Sequence, residues 1–159
     1  MSSKFQPNNN CCNYGCDIAT SSFARPGRMH GQALHLPVTG DQVRTGAERD
    51  GLTWLGAAYP APGVFQQPGH PVAFVISAAD SELEWPGDCH WVRWDDAQGA
   101  WSQKDGGDQV TNFDFAGQQI RDPGQANWQV NVGPISGGGK EGVVVYDFFG
   151  FMFVPPTGV

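Results

Sequence analysis

The chain has 159 residues, 16 acidic against 9 basic, a formal charge of −7 and 40% apolar side chains. That length fits one domain with a buried core. Phosphate binding needs clustered Lys and Arg, which are missing here, so the composition argues against a nucleic-acid partner. No apolar run is long enough to cross a bilayer, so membrane insertion is not expected.

Along the chain, residues 1–9 read as a flexible arm. The opening stretch lacks the basic, apolar and small-residue segments of a secretory signal, so synthesis in the cytoplasm is expected. Action in the periplasm or in another cell would then require another delivery route. Residues 11–24 read as a helix with Asn10 as its N-cap, stopped by Arg25-Pro26-Gly27. A second helix is expected over 41–50, with Gly51 ending it. The apolar run 71–77 suits a central buried strand. Strands at 90–94 and 100–103 flank a turn-rich segment and form a hairpin. Residues 142–154 read as one long closing strand, bent or bulged at Gly150. Segments 56–69 and 105–140 are long loops that could wall a cleft. Helices first and strands later predict an α+β domain over residues 1–159, its N-terminal helix packed on an antiparallel sheet.

Four cysteines stand at 11, 12, 16 and 89. Cys11 follows the N-cap, where free amide N–H groups and the helix dipole favour an anion and hence a thiolate. His90 starts a strand that can hold its ring rigidly, and it is the candidate base. With a two-residue turn Gln103 pairs directly with His90. With a slightly longer turn it faces Val92 and stays diagonal to His90 on the same side. Its carbonyl could then accept the imidazole N–H and fix the tautomer. Cys12 is the rival nucleophile, and Asn112 or Asp114 could replace Gln103 as third member. Trp91 and Trp101 could line a substrate cleft, although cross-strand packing in the hairpin is the better account of them. Cys12, Cys16, Cys89 and His90 offer an alternative set for zinc, at a spacing unlike that of known zinc modules.

A Cys opening the first helix, a His opening a strand and a polar residue on the next strand resemble the NlpC/P60 group of papain-like cysteine peptidases and amidases. The segments Asn9-Asn10-Cys11, His90-Trp91-Val92-Arg93 and Trp101-Ser102-Gln103-Lys104 carry that resemblance. The chain departs from the pattern in a longer Cys-to-His spacing and in Gln103, where His is commoner. The resemblance implies a papain-like fold and a hydrolase without cofactor. It also implies cleavage of an amide in a peptide or peptidoglycan stem peptide through an acyl-enzyme, in the manner of a delivered toxin. Such a toxin would be matched by an immunity or inhibitor protein. The oxyanion would be held by the Cys11 N–H and a donor just upstream, with Asn10 among the candidates. A deamidase, acyltransferase or protease with another substrate, or a non-catalytic, zinc-stabilised binding module, are the alternatives.

Overall fold

The computed structural model describes residues 10–16, 25–28, 31, 34–105, 109–134 and 141–157. They form a sheet-rich mixed fold. A six-stranded sheet has the order β1 (Thr53–Gly56), β8 (Asp147–Val154), β2 (His70–Ser77), β3 (Asp88–Asp95), β4 (Ala100–Lys104) and β5 (Val110–Thr111). Every neighbouring pair in it is antiparallel. β6 (Gln129–Pro134) and β7 (Glu141–Val145) make a separate ribbon.

β2 is central because it is apolar on both faces, and both faces are covered. Val72 and Phe74 point into one core with Trp91, Met152 and Val154, while Ala73 and Val75 point into another with Val92, Trp101 and Phe151. The first core lies under two helices, α1 (Cys11–Gly15) and α2 (Gly40–Arg49). The second is closed by the loop residues Ile120 and Trp128 and by Val144 of β7. One strand thus supplies both cores by the period of two.

Helix α2 follows its sequence signals closely. Thr39 caps it by accepting the Gln42 N–H, and Gly51 turns the chain away at φ 105°, a left-handed angle that glycine adopts without strain. The helix over 11–24 is seen through Gly15, and residues 17–24 lie outside the described residues, as does the arm at 1–9. The closing strand differs from expectation. It breaks at Tyr146 into β7 and β8, which belong to different sheets. The Tyr146 N–H donates to the Trp128 carbonyl at the crossing point. Gly150 sits beside a bulge, where the β2–β8 register slips between Phe74 and Val75. The Trp54 ring lies where a side chain on Gly150 would stand.

Candidate functional site

Helix α1 is short, and its ends are tied by side chains that replace missing helical hydrogen bonds. Asn10 accepts the Asn13 N–H at 3.1 Å, and Asn13 accepts the Asn10 N–H at 2.9 Å. This reciprocal cap sets Cys11 as the first helical residue. At the other end His70 Nε2 donates to the Gly15 carbonyl at 2.7 Å, and Arg93 donates to the Tyr14 carbonyl at 3.0 Å. The Tyr14 and Ser102 hydroxyls meet at 2.6 Å. Gly15 lets the helix approach β3 closely: a Cβ there would stand 3.1 Å from the Trp91 Cβ.

The Cys11 thiol lies along an open stretch of the β3 edge. The β3–β4 ladder extends only to Val92↔Gln103, so the Cys89 carbonyl and the Trp91 N–H need other partners. The thiol donates to Cys89 O at 3.8 Å. Burial pushes its pKa up to about 12, and the Asp88 and Asp105 charges add to the rise, against the lowering effect of the Trp91 and Cys12 N–H groups. The expectation of a thiolate favoured by its position at the helix start is therefore corrected. Desolvation outweighs what a five-residue helix contributes, and the resting sulfur is a neutral thiol.

His90 leaves β3 on the opposite face from α1, because Trp91 and Arg93 occupy the helix side. Its side chain is 3% exposed. The hairpin has the longer of the two anticipated turns, closing at Asp95↔Ala100, so Gln103 faces Val92 and lies diagonal to His90. His90 Nε2 and Gln103 Oε1 are 2.8 Å apart. The Gln103 Nε2 donates to the Phe113 carbonyl at 2.9 Å, which fixes the amide orientation. An amide oxygen only accepts, so His90 carries its proton on Nε2 and keeps the lone pair on Nδ1. Around the ring stand Phe115, Trp128 and Tyr146, with centroids at 5.2, 5.9 and 6.3 Å. Burial lowers the imidazole pKa from 6.5, against the opposing effects of Asp105, Gln103 and Asp88. The ring is neutral at pH 7.

Cys11 and His90 both line a cavity of about 170 Å³, shared with Asn10, Arg25, Asp88 and Asp105. They reach it from the two sides of the β3 edge. The thiol hydrogen bond runs to the Cys89 carbonyl rather than to the imidazole. A neutral thiol, a neutral base with an open lone pair and two flanking carboxylates can together support proton transfer and nucleophilic attack.

The other anticipated residues are placed elsewhere. Asn112 donates to the Trp101 carbonyl at 2.9 Å. The Asp114 carboxylate accepts the N–H groups of Ala116, Gln118 and Asn127 and so organises its own turn. His90 donates to the Gln103 oxygen, not to either of them. Trp91 and Trp101, considered as cleft residues, are 0% and 1% exposed. That placement is corrected: each ring is interior, Trp91 tilted against Phe74 at 4.9 Å and Trp101 paired across the hairpin with Trp94 at 5.7 Å. The Cys12 and Cys16 thiols are free and buried in the first core. No group of three or more His, Cys, Asp or Glu side chains is arranged to hold a metal ion among the described residues.

No protein-family model and no solved structure matches the chain. Insoluble matrix shell protein 1 of Ruditapes philippinarum is 36% identical to it over 152 residues, which cover 95% of this chain and 82% of that protein. The chain belongs to the family of that shell protein.

Two features of this member of the shell-protein family were not anticipated. One is the aromatic enclosure of His90, assembled from a loop (Phe115, Trp128) and the β7–β8 junction (Tyr146). The other is a hydrogen bond of 2.9 Å from the Tyr146 hydroxyl to Asp88 on the cavity rim. Burial pushes the Tyr146 phenol pKa up, and the Asp88 charge adds to it, so the phenol stays a proton donor. Their residues are 25 to 58 positions from His90 or Asp88 in sequence, and no local pattern links them. The only available signal was the density of aromatics in the second half of the chain.

Proposed function

We propose that the chain is a cysteine-dependent amide hydrolase of papain-like, NlpC/P60-like construction, with Cys11 as nucleophile, His90 as base and Gln103 as the residue that orients it. The observation carrying this reading is the His90–Gln103 hydrogen bond, which leaves the Nδ1 lone pair of a ring lining the same cavity as the Cys11 sulfur. In the forward step Nδ1 takes the thiol proton as the sulfur attacks the amide carbonyl. The resulting imidazolium gives that proton to the departing amine. Water, deprotonated by the same nitrogen, then releases the acyl group. The Cys11 N–H, with a donor just upstream such as Asn10, would hold the developing oxyanion. The raised thiol pKa favours a proton transfer concerted with the attack on the carbonyl, because the resting sulfur is mainly the neutral thiol. The substrate class follows the resemblance and is a peptide, with peptidoglycan stem peptides the first to try.

The experiment compares wild type, Cys11→Ala and His90→Ala on purified peptidoglycan and on a panel of peptide amides. New amine termini produced by wild type alone support the reading. Identical products from all three proteins remove it.

A second reading is a structural matrix component, favoured by the name of the shell-protein relative and by the engagement of the Cys11 thiol with the Cys89 carbonyl. Under that reading Cys11→Ala loses no activity because there is none, and its effect is confined to stability.

A further inference from the structure

The cysteines divide into two pairs. Cys12 and Cys16 are buried free thiols, whereas Cys11 and Cys89 are half-buried; Cys11, Cys12 and Cys89 all line the cavity. Cys89 lies on β3 two residues before Trp91, so the two side chains share a face, and that face carries α1. Gly15 stands directly over Trp91, within 3.1 Å at the Cβ positions. From Gly15 back to Cys11 the helix descends about 6.0 Å, and from Trp91 back to Cys89 the strand descends about 6.6 Å. The two elements run in the same direction, so Cys11 stands over Cys89 as Gly15 stands over Trp91. The Cys11 sulfur is already 3.8 Å from the Cys89 carbonyl oxygen, and both side chains pack against the same apolar cluster.

We propose that Cys11 and Cys89 are a thiol pair that closes reversibly into a disulfide, with oxidised glutathione or an equivalent small disulfide as the oxidant. The Cys11 thiolate attacks one sulfur of glutathione disulfide and displaces glutathione thiolate, which takes up the proton that Cys11 lost. The Cys89 thiolate then attacks the Cys11 sulfur of the mixed disulfide. It expels a second glutathione, which takes the Cys89 proton. Two protein thiols lose two hydrogens, and one glutathione disulfide becomes two glutathiones. Closure occupies the sulfur that faces the cavity and withdraws it from any other chemistry. Cys12 lines the same cavity but is more deeply buried, at 5% exposed, which leaves Cys11 as the sulfur the oxidant reaches first.

The test uses the full chain, equilibrated at mildly alkaline pH in glutathione buffers of increasing oxidised fraction, quenched with acid and digested without reduction. The expected result is a peptide pair joined through Cys11 and Cys89, found in wild type and Cys12→Ser, absent in Cys89→Ser, and released by dithiothreitol. Labelling of Cys11 by iodoacetamide is lost on oxidation and returns on reduction. A Cys89→Ala variant with a wild-type melting curve keeps the comparison valid if serine perturbs the fold. Stable glutathione adducts at Cys11 with no cross-link, or a bridge from Cys12 or Cys16 to Cys89, would overturn the proposal. The readout is covalent mass and needs no catalytic assay, so its failure is separate from any failure of the hydrolase reading.

Discussion

At the residue scale the site turns on the protonation of two groups and on one amide. Gln103 is the hinge, because its oxygen faces His90 only while its nitrogen is held by the Phe113 carbonyl. Gln103→Leu leaves a buried imidazole N–H and a carbonyl without partners. A loss of about 1–3 kcal/mol in chemical denaturation is expected. If the hydrolase reading holds, turnover falls by roughly 10²-fold as well, and the imidazole ¹⁵N shifts move from a single Nε2–H tautomer to a mixture. A variant that loses stability but keeps the tautomer signature would contradict the role given to Gln103. The chemical types of this constellation were legible in the sequence: a Cys after an N-cap, a His on a strand and a Gln on the next. The state of the thiol was not. Helix position favours the anion, but burial opposes it more strongly, and burial belongs to the folded chain.

At the element scale, α1 functions through its distance from β3. Gly15 allows that approach, and Gly15→Val places methyl groups where the Trp91 side chain already stands, at a Cβ separation of 3.1 Å. The expected outcome is a destabilisation of about 1–3 kcal/mol, seen as a lower melting temperature. Faster alkylation of Cys11 should accompany it as the helix lifts from the strand edge. Unchanged alkylation in a destabilised variant would show that α1 does not control access to the thiol. The hairpin was readable because alternating aromatic strands around a polar turn have few other solutions. Its exact turn length was not, since a change of one residue reverses which side of the strand Gln103 faces. The break of the closing strand at Tyr146 was also hidden. Residues 142–154 alternate and cluster as one strand would, and only the pairing of β7 with β6 and of β8 with β2 divides them.

At the scale of the whole molecule, His90 and Cys11 in the cavity predict a stability plateau. The folded His90 pKa is below 6.5, so the unfolded chain takes up a proton first as pH falls. Stability is therefore present above about 6.5 and is lost progressively below it. The folded Cys11 pKa is raised from 9.0 to about 12, so the unfolded chain loses its proton first as pH rises. Stability is lost between those two values. Denaturation midpoints measured from pH 4 to pH 11 should be flat between the two limbs, with the alkaline limb reduced in Cys11→Ala and the acid limb reduced in His90→Phe. An acid limb unchanged by His90→Phe would mean that other groups govern it. The sequence by itself determined helix α2, the central strand β2, the β3–β4 hairpin, the antiparallel sheet and the identity of the candidate side chains, because periodicity, capping residues and turn signals are local. The tertiary structure decided which of those side chains meet: it set Cys11 along an open strand edge over Cys89, enclosed His90 in rings drawn from distant segments and buried Trp91 and Trp101. Those outcomes depend on desolvation and on contacts between residues far apart in the chain, which no local pattern encodes. For Cys11, the helix start that marked it in the sequence also brings its sulfur to the β3 edge, where burial holds it as a neutral thiol.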